Sequence, residues 1–221
     1  YKWLRRLCHR GLQRADRRTQ ANLEKLATHF GLKLPDLWSS NVISKFRPKN
    51  NRTLIKWTGS KWRQAGQIVN RFPAEIATYH EPFVGGGAVL FELLRSGIEV
   101  RRFRSSESCA PLIALWQLAQ TNPADILTMY EAHWEAHKKR GSIVFYEVRE
   151  SFNRTQDPAD FFFLLRACRN GVVRFNHKGQ FNSLHNFDRH GIPPFEVQAL
   201  LAEWHRLLKD RDVTFSVKDY R

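Results

Sequence analysis

The chain has 221 residues, 42% of them hydrophobic and 13% aromatic, which is enough for one or two domains with a proper core and excludes a disordered chain. No apolar run reaches membrane-spanning length and no signal peptide opens the sequence. The net charge of +15 is unevenly placed: Tyr1 to Arg63 hold 16 Lys or Arg against 3 Asp or Glu, and the remainder holds 20 against 18. A basic front end on a near-neutral body calls for a polyanion, DNA or RNA, rather than mere solubility. Cys8, Cys109 and Cys168 are far apart and odd in number. They point to a reducing cytoplasm and against a disulfide framework or a thiolate metal site.

Tyr1 to Leu12 is a basic amphipathic helix candidate that stops near Gly11. Asp16-Arg17-Arg18-Thr19 offers caps for a second helix, in which Leu23, Leu26, Ala27 and Phe30 share one face before Gly31. The phrase from Asn22 to Trp38 resembles the closing helices of phage-repressor-type helix-turn-helix domains. Residues 1–46 are therefore expected to be a basic helical segment, in part a helix-turn-helix, with residues 47–53 as a linker rich in Asn, Lys and Arg. Lys56-Trp57-Thr58-Gly59-Ser60-Lys61 then leads into a helix from Arg63 to Arg71.

Ile76 to Tyr79 reads as a strand, Glu81-Pro82-Phe83-Val84-Gly85-Gly86-Gly87 as a turn, and Val89 to Arg95 as a helix stopped by Ser96-Gly97. A strand–glycine loop–helix unit lets backbone approach a ligand closely at a helix N-terminus. The glycine spacing is not the dinucleotide fingerprint, so alone it marks only a tight turn. A second strand from Ile98 to Phe103 delivers Ser105-Ser106-Glu107 at its tip, before a helix from Pro111 to Gln120. An acid there, 26 residues after Glu81, suits the two hydroxyls of a ribose.

Three helices follow, Pro123 to Lys138, Ser142 to Asn153 and Pro158 to Arg169, where the alternation with strands stops. They predict an inserted subdomain. A hairpin is expected around His177-Lys178-Gly179, with Arg, Asn and Phe interleaved. Arg and Asn suit guanine and adenine edges, and Phe can stack on bases. Between Arg166 and Arg189 five basic residues face one acid, Asp188, which favours nucleic-acid contact. A helix from Pro194 to Lys209 and a strand from Val213 to Val217 precede Lys218-Asp219-Tyr220. The nine histidines show no ligand spacing, so no metal is expected.

Together these pieces resemble the Dam-type, alpha-group adenine-N6 DNA methyltransferases. The resemblance rests on Lys56 to Lys61, on Glu81 to Gly87, on the acid Glu107, and on Tyr146, Arg149, Phe152 and Asn153. It rests further on Asn170, Gly171, Arg174, Asn176, Gly179, Phe181 and Asn182, all in the family's order from about Leu54 to Arg221. It implies an α/β fold: a Rossmann-like S-adenosylmethionine-dependent core, 54–122 and 210–221, with a mostly helical target-recognition insert, 123–209. It implies methyl transfer to the exocyclic amino group of adenine in double-stranded DNA.

By the same resemblance Trp57, Gly59 and Lys61 help hold S-adenosylmethionine, with Lys61 near its carboxylate. Glu81, Pro82, Phe83, Gly85 and Gly87 wrap its methionine and ribose portion, Glu107 takes the ribose hydroxyls, and Asp219 faces the adenine amino group. Arg166, Arg169, Asn170, Arg174, Asn176, Lys178 and Asn182 are placed on the DNA side, with Arg174 at a base-reading position and the others positioning the duplex. Two departures stand out: Arg169 replaces an aromatic residue, and Ser183-Leu184-His185-Asn186 replaces Val-Pro-Phe-Gly. The family's catalytic Asp-Pro-Pro-Tyr is absent. A C-terminally truncated fragment, inactive alone and with a monomer as the default, is the expectation. The alternative is a non-enzymatic DNA-binding regulator with a methylase-like body, while a nicotinamide oxidoreductase leaves Lys56 to Lys61 and the hairpin unexplained.

Overall fold

The computed structural model describes residues 53–187 and 191–219. The N-terminal helices, the helix-turn-helix likeness and nearly all of the linker lie outside the described residues. Helix α1, Ala65–Val69, is shorter than expected, because Lys61 to Gln64 form a separate turn closed by the Gln64 N–H on the Lys61 carbonyl at 2.8 Å. Strand β1, Glu75–Glu81, helix α2, Ala88–Arg95, strand β2, Glu99–Glu107, and helix α3, Ala110–Thr121, follow. Helices α4, Pro123–Arg140, α5, Ser142–Thr155, and α6, Pro158–Ala167, come next. A 3-10 turn, Arg169–Gly171, helix α7, Pro194–Leu208, and strand β3, Val213–Val217, follow among the described residues.

The three strands form a parallel sheet in the order β1-β2-β3. Glu75 pairs with Glu99 and Glu81 with Ser105; Phe103 pairs with Val213 and Glu107 with Val217. Strand β2 runs four residues beyond its expected end at Phe103. Ser105 and Ser106 read as loop formers, yet as a central strand β2 has both edges of its backbone satisfied, so pairing outweighs their low strand preference.

Period-two alternation sends Tyr79, Phe103, Val213 and Phe215 to one face, where all are buried. Trp116 of α3 stacks on Phe215 at 5.5 Å, and Trp204 of α7 lies 4.5 Å from Trp116 and 4.7 Å from Phe91 of α2. The side-chain amides of Gln117 and Gln120 donate to the Phe215 and Val213 carbonyls, so α3 also satisfies the outer edge of β3. The opposite face carries Thr78, His80, Arg102, Arg104, Ser106, Thr214 and Ser216 along an open groove of about 470 Å³. There Arg104 forks onto Asp212 at 2.7 and 3.0 Å.

The three middle helices share one buried cluster with the helices that cover the sheet. Helix α6 starts at an Asp157 cap, whose Oδ1 accepts from the Ala159 and Asp160 N–H groups. Its next residues, Phe161, Phe162, Phe163, Leu164 and Leu165, are all buried, in a single cluster with Trp116 and Trp204. A helix apolar all round needs neighbours all round. It finds α3 on one side and α4 and α5 on the other. Helix α7 packs through Trp204 on α2 and α3 and also lies along α4, whose Tyr130 hydroxyl donates to the Ile192 carbonyl at 2.7 Å.

Candidate functional site

Parallel pairing brings the carboxyl ends of β1 and β2 side by side, and with them Glu81 and Glu107. The Val84 N–H donates to the Ser106 carbonyl at 3.0 Å, pinning the loop Pro82 to Gly87 against the end of β2. The Lys218 N–H donates to the Glu107 carbonyl at 3.1 Å, so Asp219 leaves the sheet beside the same strand end. Glu107 Oε1 accepts from the Ser108 N–H at 2.9 Å and from its hydroxyl at 3.2 Å. Phe83, within that loop, is 62% exposed.

The glycines themselves serve packing. Gly85 and Gly87 have φ of 47° and 69°, in the left-handed region that side chains disfavour. A Cβ on Gly85 would lie 2.8 Å from the Trp57 ring, and one on Gly86 would lie 2.9 Å from the Ile55 carbonyl. A Cβ on Gly87 would lie 2.8 Å from Trp116 and 2.9 Å from Trp204. The Trp116 Nε1–H donates to the Gly85 carbonyl at 3.0 Å. The close approach inferred from the glycines is thus, on their Cβ sides, made to protein. Trp57 is half-buried against the loop, whereas Gly59 and Lys61 are exposed on the neighbouring turn.

Burial pushes the Glu81 carboxyl up to about 7, against the pull of the Tyr79 hydroxyl and the Leu90 N–H. Its Oε2 is buried without a hydrogen-bond partner among the described residues. This buried acceptor can take a cationic or N–H-bearing ligand. The folded-state value lies above the ordinary 4.5, so ionised Glu81 destabilises the fold above pH 7. That penalty is relieved as pH falls from about 7 to 4.5. Glu81→Gln is expected to remove this slope, which urea unfolding at pH 5, 6, 7 and 8 would show. A variant as pH-dependent as the parent would assign the slope to other groups.

The predicted hairpin is present. Asn182 N–H donates to the Arg174 carbonyl at 3.0 Å, Asn176 N–H to the Gln180 carbonyl at 2.9 Å, and Phe175 bridges Phe181. Alternation turns Phe175 and Phe181 towards the Phe161 ring, at 6.3 and 6.0 Å, while Arg174 and Asn182 stand opposite one another on the outer face. Arg174, Lys178 and Asn182 are exposed, as are Arg169 and Asn170 at the entry, and none of the three cations makes an ion pair among the described residues.

Two predicted DNA-side residues are engaged internally. Asn176 Oδ1 accepts from the Lys178 and Gln180 N–H groups, both at 2.9 Å, and its Nδ2 donates to Gln180 Oε1, so its amide closes the turn. Arg166 donates to the Thr53 carbonyl at 2.9 Å and to the Leu54 carbonyl, with its guanidinium 5.5 Å from the Phe162 ring. It ties the start of the described chain to α6.

The sequence pattern of the D12 class N6 adenine-specific DNA methyltransferase matches residues 57–221, most of the chain. The chain belongs to that family. Among similar proteins, Type II methyltransferase M.MjaIII of Methanocaldococcus jannaschii is 30% identical over 175 residues, 72% of this chain and 60% of the relative. DNA adenine methylase of Serratia marcescens is 30% identical over 179 residues, 78% of this chain and 61% of the relative. DNA adenine methylase of Escherichia coli K12 is 28% identical over 176 residues, 78% and 59% respectively. The chain thus spans about 60% of the length of these relatives.

Within this D12-class chain, Trp116 is a site neighbour that no motif marked, and Lys56, part of the Lys56 to Lys61 element, has a packing role that its motif does not show. The Lys56 side chain runs across Gly171, where a Cβ would meet its Cε at 2.4 Å, and the Thr58 hydroxyl donates to the Gly171 carbonyl at 3.3 Å. The glycine of the hairpin entry is therefore matched to the Lys56-Trp57-Thr58 strip. No spacing rule reveals a contact across 113 residues. Among the described residues no helix is long and apolar enough to cross a membrane, and no group of three or more His, Cys, Asp or Glu is placed to hold a metal.

Proposed function

We propose that this chain serves methyl transfer from S-adenosylmethionine to the exocyclic amino group of adenine in double-stranded DNA. The observation that carries the reading is the convergence of Glu81, Glu107 and the glycine loop at the carboxyl ends of adjacent parallel strands, the crevice where such sheets take ligands. The residues fit the cofactor's chemistry: a buried carboxylate acceptor at Glu81 and an acid at Glu107 for paired hydroxyls. When bound, S-adenosylmethionine supplies an electrophilic methyl group on a sulfonium.

Glu81 accepts the ligand's donors at its buried oxygen and, with a pKa near 7, becomes fully ionised when a cation approaches. Glu107 orients the ribose from the tip of β2. Trp57 backs the loop, Lys61 and Gly59 stand on the turn beside it for the carboxylate end, and Asp219 serves the adenine end. On the DNA side Arg174 and Asn182 read base edges from the outer hairpin face. Arg169, Asn170 and Lys178 position the backbone, and charge-assisted phosphate contacts need cations left uncommitted by the fold. Asn176 and Arg166 act indirectly, by shaping the turn and securing α6.

Calorimetric titration with S-adenosylmethionine tests the reading. The parent chain is expected to bind it, and Glu107→Ala to weaken binding about tenfold or more, since a carboxylate bonded to a ribose contributes roughly 1.5–3 kcal/mol. Binding of NAD in preference to S-adenosylmethionine would overturn it. The second reading, a non-enzymatic DNA-binding regulator, draws on the 16 Lys or Arg between Tyr1 and Arg63. It predicts that DNA affinity is lost when residues 1–50 are removed, whereas the methyltransferase reading predicts that cofactor binding survives.

A further inference from the structure

A hairpin reads sequence only if its outer face is held at a fixed height and angle to the body that carries the chemistry. Helix α5 holds this one by its backbone. Asn153 Oδ1 accepts from the Phe181 N–H at 2.7 Å, and Asn153 Nδ2 donates to the Phe181 carbonyl at 3.0 Å. These are the two bonds that a residue of an added antiparallel strand would make. One helical turn earlier, Arg149 Nη1 donates to the Ser183 carbonyl at 3.4 Å, its guanidinium 4.7 Å from the Tyr146 ring.

The spacing explains why both contacts form. Four residues of helix rise about 6 Å and two residues of strand about 6.6 Å, so an i, i+4 pair on α5 meets an i, i+2 pair on an opposed strand. Next to Asn153, Phe152 packs on Phe161 at 5.0 Å and on Phe181 at 6.1 Å, fixing the helix under the hairpin. The clamp reaches the entry strand through Ser183, whose hydroxyl accepts from the Arg174 N–H at 2.9 Å and donates to the Val172 carbonyl at 2.7 Å.

We infer that Asn153 is a positioning residue for target recognition, with Arg149 as the second point of the clamp. Both bond to backbone and not to hairpin side chains. The outward residues Arg174, Lys178 and Asn182 can therefore change with the target while the mount stays the same. The inference rests on the reading that this hairpin contacts DNA.

The test is sequencing of the fraction of a randomised duplex pool bound by the parent chain, Asn153→Ala, Asn153→Asp, Arg174→Ala and the double variant N153A/R174A. Affinity for S-adenosylmethionine and amide exchange across residues 174–182 are measured on the same preparations. Asn153→Ala is expected to lose enrichment of the preferred sequence by about tenfold or more, as Arg174→Ala does. The double variant should lose less than the product of the two single losses, because a misplaced arginine reads nothing. Cofactor affinity should stay within about twofold, and the Phe181 amide should exchange faster. Asn153→Asp keeps the acceptor for the Phe181 N–H and is expected to fall between parent and alanine variant. It also decides the matter should the alanine variant fail to fold.

Unchanged enrichment in Asn153→Ala beside a loss in Arg174→Ala would overturn the clamp and leave the DNA-reading hairpin standing. Multiplying losses in the double variant would overturn the clamp as well. If the parent chain enriches no sequence, the DNA reading of the hairpin fails first, and the inference with it.

Discussion

Trp116→Ala is expected to destabilise the protein by about 3–5 kcal/mol, the range for emptying a fully buried tryptophan site. Trp116 has no exposed surface, stacks on Phe215, touches Trp204 and hydrogen-bonds the Gly85 carbonyl. Its removal opens a cavity between α3, α7 and β3 and leaves the Gly85 carbonyl to find another donor. Small domains have only about 5–15 kcal/mol in hand, so the urea midpoint should fall by a large fraction of its value. Trp116→Phe separates the two contributions. It keeps an aromatic ring but loses the indole N–H, at a cost of about 1–3 kcal/mol, and it should weaken S-adenosylmethionine binding as the glycine loop relaxes. A Phe variant as stable and as tight-binding as the parent would show that the 3.0 Å bond to Gly85 does not hold the loop.

Gly87→Ala is expected to cost about 2–5 kcal/mol and to abolish cofactor binding. Two penalties act together. A non-glycine residue at φ 69° costs about 1–2 kcal/mol, and overpacking a filled core costs about 1–3 kcal/mol. The added methyl would meet Trp116 at 2.8 Å and Trp204 at 2.9 Å, neither of them a flexible side chain that can swing away. Relief requires shifting the N-terminus of α2, and with it the loop that lies against β2. Gly97→Ala is the control, with φ 82° but nothing within 4 Å of the new Cβ, so only the first penalty applies. Equal losses at the two positions, measured by urea unfolding, would refute the packing argument.

Much of the architecture is legible in local chemistry. Strand β3 was expected from Val213 to Val217 and spans those residues, and α7 begins at the expected Pro194. Proline at the first helical turn and a β-branched run are strong local signals. Strand β2 was underestimated because Arg104, Ser105 and Ser106 resemble a loop until two flanking strands are known. The site divides in the same way. Glu81 and Glu107 follow from motif position, whereas the outward face shared by Arg174 and Asn182 is set by the Phe175–Phe181 bridge. The internal use of Asn176 and Arg166 does not follow from motif position, because an amide or guanidinium bonded to backbone looks, in a sequence, the same as one left open to a ligand.

The sequence by itself determined the family, the strand–glycine loop–helix order, the acids at two strand tips and the hairpin, since each is written in neighbouring residues. Tertiary structure alone decided what those pieces touch. It turned the glycine loop's Cβ sides towards Trp57, Trp116 and Trp204, joined the middle helices to the sheet layer through α6, and set the hairpin on Asn153 and Arg149. The physical reason is that periodicity and turn chemistry act over a few residues, whereas close packing and backbone pairing link residues tens to more than a hundred positions apart, as Thr58 and Gly171 do.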